Sequence, residues 1–348
     1  MYGSSRKAKN KWNPNRLRHS RMKIEDLLNL TAGEMITEPT ITAINSVTVY
    51  PSKVEQGDLF ISNDEEEIAT AIANGANAIV FADSSVKITD KEVAWIQVKD
   101  VEKAAFKIIR YVLISREASF YLFTEHELSF MKMIVTQKSN VDVLPNDWRK
   151  MFEKILNSDA KMFIGTDDLL MKTIKPDVSI LNKEASCEII TDTLFKTTFK
   201  INNYIYQEKD IVPFHVDILQ RVVEFCDLHH LPYDLDRVKY TKHFVPVFID
   251  GFLNIMVPSK SDKVAIFTDN LQDIHKAREY VRYNGAWVKT IVLTPPKTKV
   301  DGVDRPNWYL DIDEARDILK NAYFNYAFVY ALDRGMLPKI KEEYSLFD

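Results

Sequence analysis

At 348 residues the chain is long enough for two or three domains with hydrophobic cores, and 46% apolar with 28% charged residues is a globular composition, not a disordered or fibrous one. No apolar run approaches the ~20 residues of a membrane span, no apolar h-region follows the basic N-terminus, and 2 cysteines give no disulfide framework, so a reducing cytoplasm is expected. The formal net charge of −4 is unevenly spread: Arg6, Lys7, Lys9, Lys11, Arg16, Arg18, Arg21 and Lys23 all precede the first acidic residue, and the body that follows is acidic.

Residues 1–21 are expected to form a disordered basic tail, able to contact an anionic partner. Met22 opens the first amphipathic segment and could be the native start. A first α/β domain is expected over 22–116. It begins with a helix near 24–30. A turn at Gln56-Gly57-Asp58 then delivers the strand Leu59-Phe60-Ile61. A helix over about 65–74 carries Ile68, Ala71 and Ile72 on one face, and Gly75 stands at its C-terminal cap. Ala78-Ile79-Val80-Phe81 is a buried strand. A strand at 94–98 and a helix from about 101 to 115, capped by Asp100, complete the domain.

A middle region, 117–258, alternates helical and extended segments. Trp148, Met151, Phe152 and Ile155 share a helical face, Met162–Gly165 is a buried strand, 188–198 and 204–206 are extended, and a helix over 216–226 follows Pro213. The last region, 259–348, has the plainest α/β pattern. Its strands are 264–267, 288–293 and 327–330, and its helices are 271–283 and 313–322, an alternation that favours a parallel, Rossmann-like sheet. The C-terminal residues 337–340 and 344–347 are either a docking tail or a frayed end.

Lys53-Val54-Glu55-Gln56-Gly57-Asp58-Leu59-Phe60, followed by Ala71-Ile72-Ala73-Asn74-Gly75-Ala76-Asn77-Ala78-Ile79-Val80, resembles the N-terminal domain of the Mur ligases. These enzymes add amino acids to UDP-N-acetylmuramic acid, and the likeness covers about 23–115. It implies a Mur-ligase-like N-terminal α/β domain, a reduced middle α/β region and a C-terminal Rossmann-like α/β domain. It also implies a UDP-sugar or other cell-wall precursor as ligand, or a protein partner, with Ser46, Lys53 and Asn63 as substrate-binding candidates. A plainer reading of Lys53 is an exposed turn lysine.

Two departures set this chain apart. It has 9 glycines, no two within ten residues of each other, whereas a phosphate-binding loop needs clustered glycines so that backbone N–H groups can reach the phosphates. Both G-x-x-x-x-G-K-[ST] and G-x-G-x-x-G are absent. Where active Mur ligases carry the ATP loop, this chain has Phe120-Tyr121-Leu122-Phe123-Thr124-Glu125-His126. Where the family commonly has Asp-Ser-Arg or Asp-Thr-Arg before its Lys-Val, this chain has Tyr50-Pro51-Ser52, without the arginine. No cofactor is therefore expected, and no catalytic set is named. The expectation is a degenerate ligase relative that binds a cell-wall intermediate or partner. The alternatives are a scaffold using the basic tail, or a ligase with a non-standard nucleotide site; any enzyme would be an acid–amino-acid ligase.

Other constellations are weaker. Cys226, His229 and His230, with His215 and His243, suggest zinc, but the spacing fits neither paired structural motifs nor a three-ligand catalytic set, and a core cysteine is the plainer reading. No metal is expected. His126-Glu127 begins like H-E-x-x-H, but Phe130 stands at the second histidine position. No G-x-S-x-G elbow supports Ser/His/Asp catalysis, and the acidic setting of Cys187 raises its thiol pKa. Asp167-Asp168, with Asp262, Asp269 and Asp273, could line a polar cleft, but Thr166 or Asp167 as an ordinary N-cap for 169–173 explains the first pair more simply. The aromatic residues of the middle region suit a stacking groove or, more simply, a core.

Overall fold

A computed structural model describes residues 22–114, 116–137 and 140–338. The basic tail 1–21 and the C-terminal segment 344–347 lie outside the described residues. Two compact units are formed, the first by residues 22–122 and 140–180, the second by 123–137 and 181–338. The stretch 117–258 thus contributes to both.

The first unit contains a five-stranded sheet in the spatial order Glu34–Met35, Ala94–Gln97, Ala78–Phe81, Leu59–Ile61, Val47–Thr48. Only the first pair is antiparallel. Every residue of Leu59–Ile61 and Ala78–Phe81 is buried, as expected of parallel strands covered on both faces. The pleat sends alternate residues to opposite layers. Phe60, Ile79 and Trp95 meet Ile68 and Ala71 of the helix Glu65–Ala73. Leu59, Ile61, Val80 and Ile96 meet Leu27 of the helix Ile24–Thr31 and Ala105 and Ile109 of the helix Val101–Ile114.

That second core continues into a four-stranded parallel sheet ordered Ser179–Ile180, Ser119–Leu122, Met162–Gly165, Val141–Val143. Phe152 and Ile155 of the helix Trp148–Leu156 and Met171 of the helix Asp168–Ile174 belong to the same apolar cluster, which is why 140–180 folds with the N-terminal residues. Asp167 is the N-cap of the Asp168–Ile174 helix and accepts from Leu170 N, as the cap reading anticipated.

In the second unit, the extended stretch expected over 188–198 is two antiparallel strands, Glu188–Asp192 and Thr197–Ile201. Thr193 turns the chain between them: its N–H donates to Lys196 O and its Oγ1 accepts from Lys196 N. A third strand, Tyr204–Lys209, follows Asn202 and Asn203, whose φ of 49° and 65° suit a type I′ hairpin. The other sheet is ordered Phe244–Ile249, Lys263–Thr268, Tyr326–Tyr330, Thr290–Thr294, Asn307–Trp308. Only its first strand is antiparallel. Pro246, which cannot donate to a ladder, is tolerated because that strand is the edge. Ala265, Phe267 and Val329 face one core, while Val264, Ile266 and Phe328 face another. The helix Glu125–Ile134 belongs to this unit through Thr136 N to Pro232 O, Asp234 N to Ile134 O, and the edge-to-face pair Phe123–Phe225 at 5.0 Å. Among the described residues no helix is long and apolar enough to cross a membrane.

Candidate functional site

The first unit has a polar cavity of about 290 Å³, lined by residues 46–48, 52–55 and 58 together with Glu153 and Asn157. The turn before Leu59 shapes it. Gly57 has φ +92°, and a Cβ there would lie 2.2 Å from Asn45 Nδ2. Asn45 Nδ2 donates to Gln56 O, and Glu55 N donates to Asp58 Oδ2, pinning the turn from both sides.

Glu153, on the helix Trp148–Leu156, is the cavity's buried anchor. Its carboxylate accepts from the Thr48 hydroxyl, from Val49 N at 3.0 Å, from Lys53 Nζ at 3.0 Å and from Asn157 Nδ2 at 3.1 Å. At the neighbouring position on the helix, Arg149 clamps Glu67 at 2.6 Å and donates to Val49 O at 2.6 Å. Glu67 also accepts from Ser62 Oγ at 2.6 Å. The Arg149 hydrogen bond holds the Glu67 carboxyl below its ordinary range against the opposing pull of burial. Lys53 Nζ and the Arg149 guanidinium sit 5.1 and 5.5 Å from the Tyr50 ring centroid.

Of the residues singled out in the sequence, Ser46 and Lys53 line this cavity. Asn63 is not among its lining residues; its side-chain oxygen accepts from Ala82 N at 2.7 Å and Asp83 N at 3.4 Å, tying two loops together. Glu153 escaped the sequence reading because about a hundred residues of chain separate it from its partners. One ammonium shares the cavity with Glu55, Asp58 and Glu153, and hydroxyls from Ser46, Thr48 and Ser52 supply most of the rest. This lining suits a ligand rich in hydroxyls and amides better than a bare diphosphate.

At the second unit's Glu125–Ile134 helix, a capping box closes the N-terminus. Thr124 Oγ1 accepts from Glu127 N, and the Glu127 carboxylate accepts from Thr124 N at 2.7 Å. Of the two amides so engaged, that of Thr124 is bound by a protein carboxylate and that of Glu127 by a hydroxyl, so neither is free for an external anion.

The same helix carries His126 into a buried cluster. His126 Nε2 and His215 Nε2 lie 2.7 and 3.1 Å from Asp273 Oδ2. His126 Nδ1 is 3.0 Å from the Thr241 hydroxyl. Burial opposes ionisation of Asp273, but the two imidazoles outweigh it and hold its carboxyl below the usual range; burial pushes His215 down, favouring its neutral form. His243 lies beside them, its ring centroid 5.4 Å from that of His126 and its Nδ1 2.6 Å from Asp269. Cys226, the centre of the zinc arrangement considered from sequence, is buried in the core, and burial raises its thiol to about 12. Burial also raises Cys187, to about 11, which leaves it unsuited to act as a nucleophile.

No protein-family model and no curated protein matches the sequence. Solved structures do. MurF from Acinetobacter baumannii is 11% identical, with a TM-score of 0.51 over 91% of this chain and 97% of that one. The MurF ligase of Thermotoga maritima, solved in complex with ADP, is 12% identical, with a TM-score of 0.51 over 84% of this chain and 94% of that one. At such identities the likeness is one of fold: this chain has the α/β architecture of the Mur ligases.

Proposed function

We propose that this chain is a Mur-ligase-related protein of peptidoglycan precursor metabolism, which binds a cell-wall intermediate in the cytoplasm without hydrolysing ATP. The observation that carries the reading is the capping box at Thr124 and Glu127, because it engages two amides of a helix terminus with the chain's own side chains, one of them a carboxylate that would repel a phosphate. The absence of clustered glycines supports the same conclusion. The ligand site is the first unit's cavity. Ser46 and Lys53 contact the hydroxyl- and amide-bearing part of the intermediate, Glu153 holds Lys53 in place, and Asn63 acts through the loop at Ala82 and Asp83.

Thermal-shift measurements with UDP-N-acetylmuramic acid, its peptide derivatives and ATP–Mg²⁺, each separately, test this. A ligand that binds only the native state, present at a hundred times its Kd, stabilises by about 2.7 kcal/mol. The expected result is a shift with a muramoyl ligand that Ser46→Val reduces, and none with ATP. Stabilisation by ATP sinks the proposal. A second reading rests on the seven lysines and arginines of the tail 1–21: a scaffold that grips an anionic partner. Silence from every nucleotide and sugar, with salt-sensitive partner capture lost on removing 1–21, selects that reading instead.

A further inference from the structure

We infer that His126, His215 and Asp273 form a binding site for one divalent transition-metal ion of the zinc class. Their ligating atoms lie within 4.8 Å of one another, and all three residues are buried. Two imidazole nitrogens and one carboxylate oxygen are a donor set that such ions favour. Metal–ligand bonds of about 2.0–2.2 Å place neighbouring ligand atoms of a tetrahedral site roughly 3.3–3.6 Å apart, so the 2.7 and 3.1 Å separations must open by about half an ångström to admit an ion.

The angles separate this arrangement from an ordinary ion-pair cluster. Neither close contact is an aligned hydrogen bond: His126 Nε2, His215 Nε2 and Asp273 Oδ2 are all without one. Three polar atoms buried together without donor alignment are costly unless something they can all coordinate lies between them. The surroundings are those of a prepared site. With Nδ1–H of His126 donated to Thr241 Oγ1, which is itself buried, Nε2 presents a lone pair, the support that metal-bound histidines commonly receive. Around His215, the Phe214 and Phe244 rings stand 4.9 and 5.7 Å away by centroid, fixing the imidazole in an apolar wall. Three protein ligands leave a tetrahedral position for water or a small ligand.

His126 lies in the first turn of the Glu125–Ile134 helix, beside its capping box. This inference does not depend on the cell-wall reading, since its residues are remote in sequence from Ser46 and Lys53 and its test uses metal alone.

The full chain, prepared without a polyhistidine tag and stripped with a chelator, is dialysed against Zn²⁺ and its bound metal measured by mass spectrometry. Co²⁺ is used in parallel for its visible bands. The expected result is one Zn²⁺ per chain and low-symmetry Co²⁺ bands, both retained in His229→Ala and both lost in His126→Asn and Asp273→Asn. Circular dichroism confirms that each variant is folded. Should those two fail to fold, Thr241→Val, which keeps all three ligands, is expected to weaken Zn²⁺ affinity by about 10- to 100-fold. Folded parent protein with no metal above the blank overturns the inference and leaves a proton-sharing histidine–aspartate cluster. Binding that survives His126→Asn, Asp273→Asn and Thr241→Val undiminished also overturns it, by placing the metal elsewhere.

Discussion

Each unit buries carboxylates, and one from each, Glu153 and Asp273, are treated in opposite ways. Glu153 in the first unit receives a hydroxyl, a backbone amide, an ammonium and a side-chain amide. Asp273 in the second is approached at 2.7 and 3.1 Å by two imidazoles, yet its Oδ2 has no aligned hydrogen bond. Burial makes an unpaired carboxylate expensive in both places. At Glu153 that cost is offset by donors that belong to the cavity wall, so the residue builds the site without needing a ligand. At Asp273 the neighbours are themselves ligands, and the cluster is completed by something shared. Four directed donors mark a structural hub; convergent, misaligned acceptors mark a place for a cation.

The largest effect that separates them is expected at Glu153. Glu153→Ala leaves the Val49 amide and Thr48 hydroxyl buried without their acceptor, and it should cost about 3 kcal/mol. Urea unfolding of the full chain measures it; a loss below 1 kcal/mol would mean that water reaches these donors and that Glu153 is no hub. The isosteric change sharpens the contrast. In metal-free protein, Glu153→Gln gives up the acceptor for Lys53 and should cost about 1–3 kcal/mol. Next in size is the metal itself. Zn²⁺ at a hundred times its Kd should raise the unfolding free energy of the parent by about 2.7 kcal/mol and leave Asp273→Asn unmoved. Equal stabilisation of both proteins would erase the distinction between the two carboxylates.

The two sites also differ in how much of them the sequence displays. The first unit is written in local signals: a turn glycine with φ +92°, an apolar strand buried along its whole length, and a helix closed by Gly75 at φ +100°. These signals carry the fold likeness, and they bring Ser46 and Lys53 to the cavity because both flank that turn. Asn63 follows the same strand, but its amide was claimed by the backbone of Ala82 and Asp83, a pairing no local pattern announces. Glu153 is the lone acid of the helix Trp148–Leu156, and nothing local marks it until the fold sets it beside Thr48. The histidine cluster was visible only in fragments. His215 was noticed beside Cys226, His126 as half of a broken H-E-x-x-H, and Asp273 as one of several acids near a strand. Their meeting depends on tertiary structure, because three separate elements deliver them. The residues after Glu188 predict one extended stretch because β-formers run on through Thr193, whose side-chain hydrogen bonds instead make a turn.

A smaller effect tests whether the capping box is a closed terminus or an open one. Thr124→Ala removes one of its two reciprocal bonds and should cost about 1 kcal/mol. The more informative variant is Glu127→Gln, which keeps the geometry and removes the charge. If the helix terminus is closed by shape, inorganic phosphate and ATP should still fail to stabilise this variant in a thermal scan. If phosphate then binds, the Glu127 charge was the barrier, and the second unit retains more of a nucleotide site than its glycine count suggests.

The smallest effect concerns a third carboxylate, intermediate between the other two. Glu67 is partly exposed, bonded by Arg149 and Ser62, and its folded pKa is depressed below the ordinary 4.5, chiefly by the Arg149 hydrogen bond. A depressed carboxyl contributes stability that is fully present above its unfolded pKa and is lost as pH falls through the folded value. The parent should therefore exceed Glu67→Gln in stability by about 0.5–1 kcal/mol near pH 7. That gap should close progressively as pH drops below 4.5. Urea midpoints of both proteins at neutral and acid pH give the difference directly. A gap that stays constant with pH would show that Glu67 contributes by packing against Arg149 and not by charge.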